Sequence, residues 1–181
     1  YPFDDRDIYI DIGPGRGDYL FYLAKTYPKA LAVGLEIKRK RVDKIIQRLQ
    51  RFGIENAAII QGDARKVLPS LFPTPRVKEI HIRFPDPWPK KRHTKNRLLN
   101  KGMIRACATA LLPEGELFIV TDVEGYSDEA VSGVIDEASF TTLEASEGDW
   151  EKVFPTYFAD KWKKEGRSVF LKMYLKKAIQ Q

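Results

Sequence analysis

Cysteine, histidine and long apolar runs are scarce in this chain, and each scarcity excludes a class of protein. The single cysteine among 181 residues, Cys107, excludes an internal disulfide. It lies in an apolar helical pattern, so we interpret it as a core residue rather than a nucleophile. No apolar run approaches the ~18 residues that cross a bilayer. The sequence therefore predicts a soluble protein with no membrane partner, and a reducing cytoplasm fits it.

The chain has two histidines, and their placement argues against a metal centre. His81 lies within a predicted strand, far in sequence from any second histidine or cysteine. His93 lies in a basic run, where an RNA contact or a solvated side chain is the better interpretation. We therefore predict no metal site.

Positive charge exceeds negative charge, with 31 Lys and Arg against 25 Asp and Glu and a formal net charge of +6. This excess favours a polyanionic partner such as nucleic acid. Apolar residues make up 43% of the chain, which is ordinary for a globular protein. The length fits a single domain over residues 1–181.

Short apolar runs alternate with amphipathic stretches, which predicts an α/β fold with a mostly parallel sheet covered on both faces. The predicted strands are residues 8–12, 30–37, 57–61, 79–84, 116–121, 140–144 and 169–175. The predicted helices are residues 19–27, 39–52, 64–71, 98–111 and 127–138, with a turn at 113–115. Ligands bind such sheets beyond the carboxyl ends of the strands, so we expect the site in the loops after the first five strands.

A glycine-rich loop follows the first strand, with Gly13, Gly15 and Gly17 in succession. Glycines permit a tight turn and a close approach of a ligand to the backbone, although a purely structural turn is the simpler alternative. The dinucleotide fingerprint spaces its third glycine one position later. Asp18 then occupies the place of its last small residue, where an acid would repel a pyrophosphate. Both points weigh against a nicotinamide cofactor.

Carboxylates end the first three predicted strands, at Asp11, Glu36 and Asp63. A carboxylate at Glu36 can accept hydrogen bonds from both ribose hydroxyls, and Asp63 can accept one from an exocyclic amino group. Singly, Glu36 is equally well a surface acid, and Asp63 a helix cap. Together, with no phosphate-binding lysine, they predict a cationic ligand without phosphate, such as S-adenosylmethionine.

The fourth strand runs into a proline-rich loop, residues 84–89, in which Asp86 lies between two prolines. Proline biases the residue before it to an extended conformation, so we expect a stiff loop that aims Asp86. Trp88 offers a flat face for a base. A stiff connecting loop without function is the alternative, but its place at the mouth of the predicted site favours binding of the target base.

Five of the next eight residues, 90–97, are Lys or Arg. Such a run is usually a solvated face and is unfavourable near a helix start. Beside an aromatic loop at a nucleoside site, we interpret it as a surface that binds RNA phosphates.

Residues 84–97, with residues 11–17 before them and Thr121-Asp122 after them, strongly resemble the bacterial tRNA (guanine-N7-)-methyltransferases. The resemblance extends over nearly the whole chain. It implies the Rossmann-like class I methyltransferase fold, with a doubly wound seven-stranded sheet whose last strand is antiparallel. It also implies methyl transfer from S-adenosylmethionine to guanosine 46 in the variable loop of tRNA.

The resemblance assigns roles by position. The cofactor-binding residues it implies are Asp11, Gly13, Gly15, Gly17, Glu36, Asp63, Ala64 and Asp86, with Asp86 also the catalytic residue. The substrate-binding residues are Lys90, Asp122 and Thr156. The RNA-binding residues are Lys91, Arg92, His93, Lys95 and Arg97. The chain departs from the family at Ala159, where glutamate is usual and Asp160 is adjacent, and at Asp11, where glutamate is more frequent.

Three other functions compete with this interpretation. The first is a nicotinamide-dependent reductase on a similar sheet, which the glycine spacing and Asp18 disfavour. The second is a non-catalytic RNA-binding module on a decayed fold, which the intact acids disfavour. The third is the same fold acting on a small molecule or a protein, which the basic run after Trp88 disfavours. Monomer and homodimer are both compatible with the sequence.

Overall fold

A single seven-stranded sheet organises the chain, in the order β3-β2-β1-β4-β5-β7-β6. The computed structural model describes residues 5–88, 90–132, 134–135, 140–153, 161 and 164–178. The strands are β1 (Ile8–Ile12), β2 (Leu31–Glu36), β3 (Ala57–Gln61), β4 (Val77–Arg83), β5 (Leu111–Thr121), β6 (Phe140–Leu143) and β7 (Phe170–Lys176). The first five pair in parallel, while β7 pairs antiparallel with both β5 and β6. The predicted α/β class, the seven strands and the antiparallel last strand are confirmed.

The helices are α1 (Asp18–Thr26), α2 (Arg39–Arg51), α3 (Ala64–Leu71), α4 (Lys101–Ala110), α5 (Tyr126–Val131) and α6 (Glu147–Val153), with a 3₁₀ helix at Lys91–Asn96. Alternate residues of β1 point to opposite faces of the sheet. Ile10 joins a cluster with the apolar residues of α3, α4 and α5. Tyr9 joins a second cluster with those of α1 and α2. Helices therefore cover both faces, as the doubly wound prediction requires.

Cys107 lies fully buried in the larger cluster, where burial raises the pKa of its thiol. The thiol is therefore protonated and shielded, and the interpretation of Cys107 as a core residue is confirmed. Among the residues that the structure describes, no helix has the length and apolarity needed to cross a membrane.

Several predicted boundaries are wrong, among them the start of β5, which lies at Leu111 rather than at residue 116. The helix predicted from residue 98 begins at Lys101, because the Asn100 side chain caps it by accepting a hydrogen bond from the Met103 amide at 3.0 Å. The turn predicted at 113–115 lies inside β5, where Glu114 has a φ of 62° and the register with β4 shifts. The helix predicted to begin at residue 127 begins at Tyr126 and ends at Val131. Neither α6 nor the 3₁₀ helix was predicted.

Candidate active site

A cavity of about 830 Å³ opens at the carboxyl ends of the parallel strands. Its floor is the glycine loop after β1, and its walls are the loops after β2, β3, β4 and β5. Among the predicted site residues, those that line it are Asp11, Gly13, Gly15, Glu36, Asp63, Ala64, Asp86 and Asp122. The prediction that the chemistry lies in these loops is therefore supported by the geometry.

Gly17 packs behind the glycine loop rather than facing the cavity. It has a φ of 85°, and a Cβ atom there would lie 3.0 Å from Ile45 Cγ1. Its amide donates a hydrogen bond to the Pro14 carbonyl at 2.8 Å, which closes the turn directly before α1. Glycine is required here for backbone conformation and helix packing, so its contribution to cofactor binding is through the shape of the loop.

Asp11 lies at the base of the cavity and is 1% exposed. Within the part of the chain that the structure describes, its buried Oδ2 atom has no hydrogen-bond partner. Burial raises the pKa of Asp11 to about 7, with a smaller opposing effect from the Arg83 guanidinium and a reinforcing one from Glu36. A buried acceptor without a donor carries a free-energy cost that a ligand N–H or ammonium group removes.

Glu36 is also buried, at 2% exposed, so the surface-acid alternative for this residue is wrong. Its Oε1 atom accepts a hydrogen bond from the Lys38 amide at 2.8 Å, which turns the chain from β2 into α2. Its Oε2 atom lies 3.5 Å from Arg41 Nη1. The carboxylate is thus held in one orientation at the cavity wall, as ribose recognition requires.

Asp63 caps α3 and lines the cavity at the same time. It accepts a hydrogen bond from the Arg65 amide at 3.0 Å, and its Oδ2 atom lies 2.6 Å from Arg65 Nη2. The hydrogen bond from the Arg65 side chain is the main reason that the pKa of Asp63 is lowered. The helix-cap interpretation is confirmed, and the carboxylate stays ionised beside the site.

The prediction of acids without a phosphate-binding lysine left out the cations that folding brings to the cavity. The cations that line the cavity are Arg16, Lys38, Arg41, Arg65 and Arg83. The first turns of α2 and α3 bring Arg41 and Arg65 to the ends of the strands, which the pattern of the strands alone does not predict. Because Arg41 and Arg65 pair with Glu36 and Asp63, these two arginines orient carboxylates rather than offer a phosphate site.

Arg83, at the end of β4, is a site residue that the sequence analysis missed. Its guanidinium carbon lies 3.9 Å from the centroid of the Tyr19 ring, and burial lowers its pKa. Its position as the last residue of β4, directly before the proline-rich loop, was the signal that could have found it. Arg83 places a positive charge close to Asp11, at the base of the cavity.

His81 lies behind the cavity in a buried polar chain. A hydrogen bond joins Tyr19 Oη and His81 Nδ1 at 3.2 Å, and another joins His81 Nε2 and Glu79 Oε2 at 3.1 Å. Its ring stacks on Phe118 with a centroid distance of 4.6 Å. His81 is a satisfied core residue that supports Tyr19 in the cavity wall. Among the described residues, no group of three or more His, Cys, Asp or Glu side chains could hold a metal ion.

The proline-rich loop after β4 has a different backbone from the one predicted. Phe84 and Trp88 each precede a proline, yet their φ angles are 46° and 41°, in the left-handed region rather than extended. Such conformations are strained for bulky side chains and persist only where the surroundings impose them. Strain of this kind is frequent at functional sites, although the strain alone assigns no function.

Hydrogen bonds from three elements hold this loop. The Phe84 amide donates to the Val120 carbonyl at 2.7 Å. The Tyr126 hydroxyl donates to the Asp86 carbonyl at 3.2 Å, and Arg97 Nε donates to the Pro87 carbonyl at 2.8 Å. With its backbone fixed in this way, the exposed Asp86 side chain stands at the cavity mouth. These bonds, as well as the prolines, fix the backbone that carries Asp86.

Trp88 and His93 meet edge to face beside the mouth, with ring centroids 5.5 Å apart. Trp88 is 36% exposed, so part of its ring remains open to a ligand. The 3₁₀ helix that follows carries the basic run, with Lys90, Arg92 and Lys95 exposed to solvent. For Lys91 only the backbone is described.

Arg97 differs from the other predicted RNA contacts because its side chain turns inward. It is 18% exposed and places Nη1 at 2.9 Å and 3.0 Å from the two carboxylate oxygens of Glu129. Together with its bond to the Pro87 carbonyl, this makes Arg97 a support for the loop. Asn96, which was not singled out from the sequence, lines the cavity instead.

Asp122 follows β5 and lines the cavity opposite the glycine loop, with Oδ2 3.5 Å from Arg167 Nη1. Thr156, the other substrate residue implied beyond β5, lies outside the described residues, as do Ala159 and Asp160.

Comparisons with known proteins identify the family of the chain. Residues 5–172 match a family model described as "Putative methyltransferase". The tRNA (guanine-N(7)-)-methyltransferase of Chlorobium phaeobacteroides is 30% identical over 175 residues, which cover 97% of this chain and 84% of that protein. The chain belongs to the tRNA (guanine-N7-)-methyltransferase family. The family member of Thermotoga maritima is 30% identical over 178 residues, which cover 94% of this chain but 56% of that protein. The chain thus spans little more than half the length of that relative.

The family fold is also present in more distant proteins of known structure. An rRNA methylase from Streptococcus thermophilus superposes with a TM-score of 0.62 at 20% identity, covering 97% of this chain and 89% of that one. This likeness shows the Rossmann-like class I methyltransferase fold.

S-adenosylmethionine is the methyl donor that this family and fold imply, and the residues of the cavity fit it. The cofactor carries an ammonium group, ribose hydroxyls and an adenine amino group, which are all donors. The unpartnered Oδ2 atom of Asp11 and the oriented carboxylate of Glu36 are matching acceptors. Asp18, the first residue of α1, also lines the cavity, where it occupies the helix start that a pyrophosphate would use and pairs with Arg48 at 3.0 Å. The carboxylate acceptors of the cavity therefore match the donors of S-adenosylmethionine better than they match the anionic pyrophosphate of a nicotinamide dinucleotide.

Proposed function

We propose that this protein transfers a methyl group from S-adenosylmethionine to N7 of guanosine 46 in the variable loop of tRNA. The observation that carries the proposal is the cavity in which buried Asp11 and Glu36 lie below Asp86, Trp88 and an exposed cationic segment. Such a site combines recognition of a cationic nucleoside with an entrance suited to a base and its phosphates. We further propose that the protein acts in the cytoplasm.

The proposed reaction requires positioning more than acid-base chemistry. S-adenosylmethionine supplies an electrophilic methyl group when bound. Guanine N7 has an in-plane lone pair, so no proton has to leave before it attacks, and a general base is unnecessary. The protein must align the two reactants at near-contact distance. We assign this positioning to the fixed proline-rich loop on one side and to Glu36 and Asp63 on the other.

Asp86 and Asp122 have a second proposed role. The methylated guanine ring is cationic, so a carboxylate that accepts hydrogen bonds from guanine N1 or N2 stabilises the charge as it develops. Both carboxylates line the cavity mouth, at the ends of the two loops that would enclose a base. We assign the catalytic role to Asp86 because its backbone is held by Tyr126 and it lies beside Trp88.

The proposed RNA contacts are the exposed members of the basic run. Lys90, Arg92 and Lys95 are exposed beside the cavity, and His93 lies against Trp88. These side chains would bind phosphates on either side of the target nucleotide, with Lys90 nearest the base. We expect Arg92→Ala to weaken tRNA binding. The slope of the logarithm of the binding constant against the logarithm of salt concentration should fall by about one, as for one lost phosphate contact.

The test is methyl transfer from labelled S-adenosylmethionine to unmodified tRNA, followed by borohydride and aniline cleavage to locate N7-methylguanosine. We expect one cleavage in the variable loop at guanosine 46, and none in a matched tRNA with adenosine at that position. A protein that binds tRNA but transfers no methyl group would establish the non-catalytic alternative. Equal labelling of both tRNAs would show that the target is a different nucleotide.

A further inference from the structure

The solvent side of α2 carries a row of cations that the proposed reaction has not used. Val42, Ile45 and Leu49 bury one side of the helix against the sheet. On the other side, Lys40, Lys44 and Arg51 are all exposed. Their spacing of four and seven residues places them on one helix face. This cationic row, defined as Lys40, Lys44 and Arg51, is about 16 Å long at 1.5 Å per residue.

The row differs from other cations of the same helix in that no ion pair is described for it, although Asp43 lies near Lys40 and Lys44 in sequence. Arg39 pairs with Asp43 at 2.8 Å, and Arg48 pairs with Asp18 at 3.0 Å. Over the described ranges of the chain, no ion pair involves a member of the cationic row. Its positive charge therefore stands open to solvent and to a partner.

An exposed aromatic ring stands at the far end of the row. Phe52 is 57% exposed, and the Arg51 guanidinium lies over its ring at 5.7 Å from the centroid. Phe21 packs against the same ring with a centroid distance of 6.0 Å, so the exposed part of Phe52 remains for a base. Cations beside an exposed aromatic ring are typical of nucleic-acid surfaces, because bases stack on the ring while phosphates meet the charges.

The helix also departs from what its own stability favours. Its first turn contains no acid, and Lys38 at the N-cap makes no capping hydrogen bond. Cations at this end oppose the helix dipole, whereas acids would stabilise it. Glu36, just before the helix, offsets part of this effect through the Lys38 amide and Arg41, but no such pair is described for Lys40 or Lys44.

The position of α2 matches the path of an RNA strand. β2 and β4 flank β1, so the start of α2 and the proline-rich loop lie on opposite sides of the glycine loop. Lys38 and Arg41 line the cavity, and the row leads from there along the side of the molecule. An RNA with one base in the cavity extends its backbone in both directions. In one direction the RNA backbone runs along the basic run 90–97. In the other direction it passes over α2.

We propose that the cationic row of α2 binds the phosphate backbone of the RNA substrate. This inference rests on the proposed function for the identity of that RNA. The contacts are electrostatic and independent of base sequence, so they contribute affinity and orientation rather than choice of the methylated base.

The experiment compares Lys40→Ala/Lys44→Ala with Lys25→Ala/Lys29→Ala. The second pair removes the same charge from exposed positions at the end of α1, near the amino ends of the strands and away from the cavity. Filter binding measures tRNA affinity without cofactor between about 50 and 200 mM salt. We expect the α2 variant to bind tRNA about ten-fold more weakly at low salt and to lose about one unit of slope per lost contact. Its S-adenosylmethionine affinity should equal that of the unaltered protein and of the control.

Unchanged tRNA affinity and slope in the α2 variant, with normal methylation by the unaltered protein, would overturn this inference and leave the proposed function standing. The α2 variant could lose tRNA affinity while the unaltered protein methylates no tRNA. That result would support RNA binding by the cationic row and would contradict the proposed function. Retained tRNA affinity with lost binding to vesicles of anionic phospholipid would also overturn it, because the row would then serve a membrane surface.

Discussion

Asp11 shows how one buried carboxylate can link cofactor binding to stability. Its Oδ2 atom has no partner among the described residues, and burial raises its pKa to about 7. A cationic ligand favours the ionised form, so it binds most tightly where Asp11 has lost its proton. In the free protein the same ionisation is unfavourable, because the cost of burying the charge exceeds the compensation that Arg83 provides.

We expect the stability of the cofactor-free protein to fall as pH rises through the Asp11 titration. The ordinary pKa is 3.8 and the folded one is about 7, so between these values the folded chain holds a proton that the unfolded chain has lost. Stability from this group is complete below the ordinary pKa and is lost towards pH 7, by at most about 1.4 kcal/mol per pH unit. Urea unfolding at several pH values should show this component in the unaltered protein and its loss in Asp11→Asn. Parallel pH curves for the two proteins would contradict it.

Asp86 permits a sharper test of the chemistry. We expect Asp86→Ala to lower kcat by about 10²-fold to 10³-fold, because one acceptor for the developing charge is removed. The affinity for tRNA should stay nearly the same, since phosphate contacts supply most of it. Single-turnover methylation and filter binding measure the two quantities. Glu55→Ala, an exposed acid away from the cavity, is the control. Near-normal turnover in Asp86→Ala would remove Asp86 from the reaction.

At the scale of elements, the proline-rich loop is shaped by its neighbours as much as by its prolines. Phe84 and Trp88 adopt left-handed conformations that the sequence argued against. The Val120 carbonyl of β5 accepts from the loop amide of Phe84, while Tyr126 of α5 and Arg97 after the 3₁₀ helix donate to loop carbonyls, and these bonds hold the backbone there. This explains why Arg97, placed in the RNA-binding run by its position, turns towards Glu129 instead.

The uncapped start of α2 predicts a gain in stability from one substitution. Lys38 has the extended backbone of an N-cap but offers no side-chain acceptor. We expect Lys38→Ser to raise the free energy of unfolding by about 1 kcal/mol over Lys38→Ala, because both remove the charge and serine alone supplies a cap. Urea unfolding of the cofactor-free variants measures the difference. Equal stability of the two would show that the Lys38 position does not act as a cap.

For the whole molecule, the cavity links ligand binding to global stability. At a concentration of 100 times its Kd, S-adenosylmethionine should stabilise the protein by about 2.7 kcal/mol, since it binds the folded state alone. NADH at the same concentration should give no shift, because Asp18 and the acids of the cavity oppose its pyrophosphate. Thermal unfolding with each ligand provides the comparison. An equal shift with NADH would favour the reductase alternative.

The sequence alone determined the order of strands and helices and the glycine loop. It also determined the acids at the strand ends, Asp11, Glu36 and Asp63. Each depends on local periodicity or on the rule that carboxyl ends of parallel strands share one edge. The tertiary structure alone decided the contacts of Arg83 and Arg97 and the backbone of the proline-rich loop. These depend on partners distant in sequence, such as Tyr19, and no local pattern specifies which distant group a flexible arginine or a strained turn will meet.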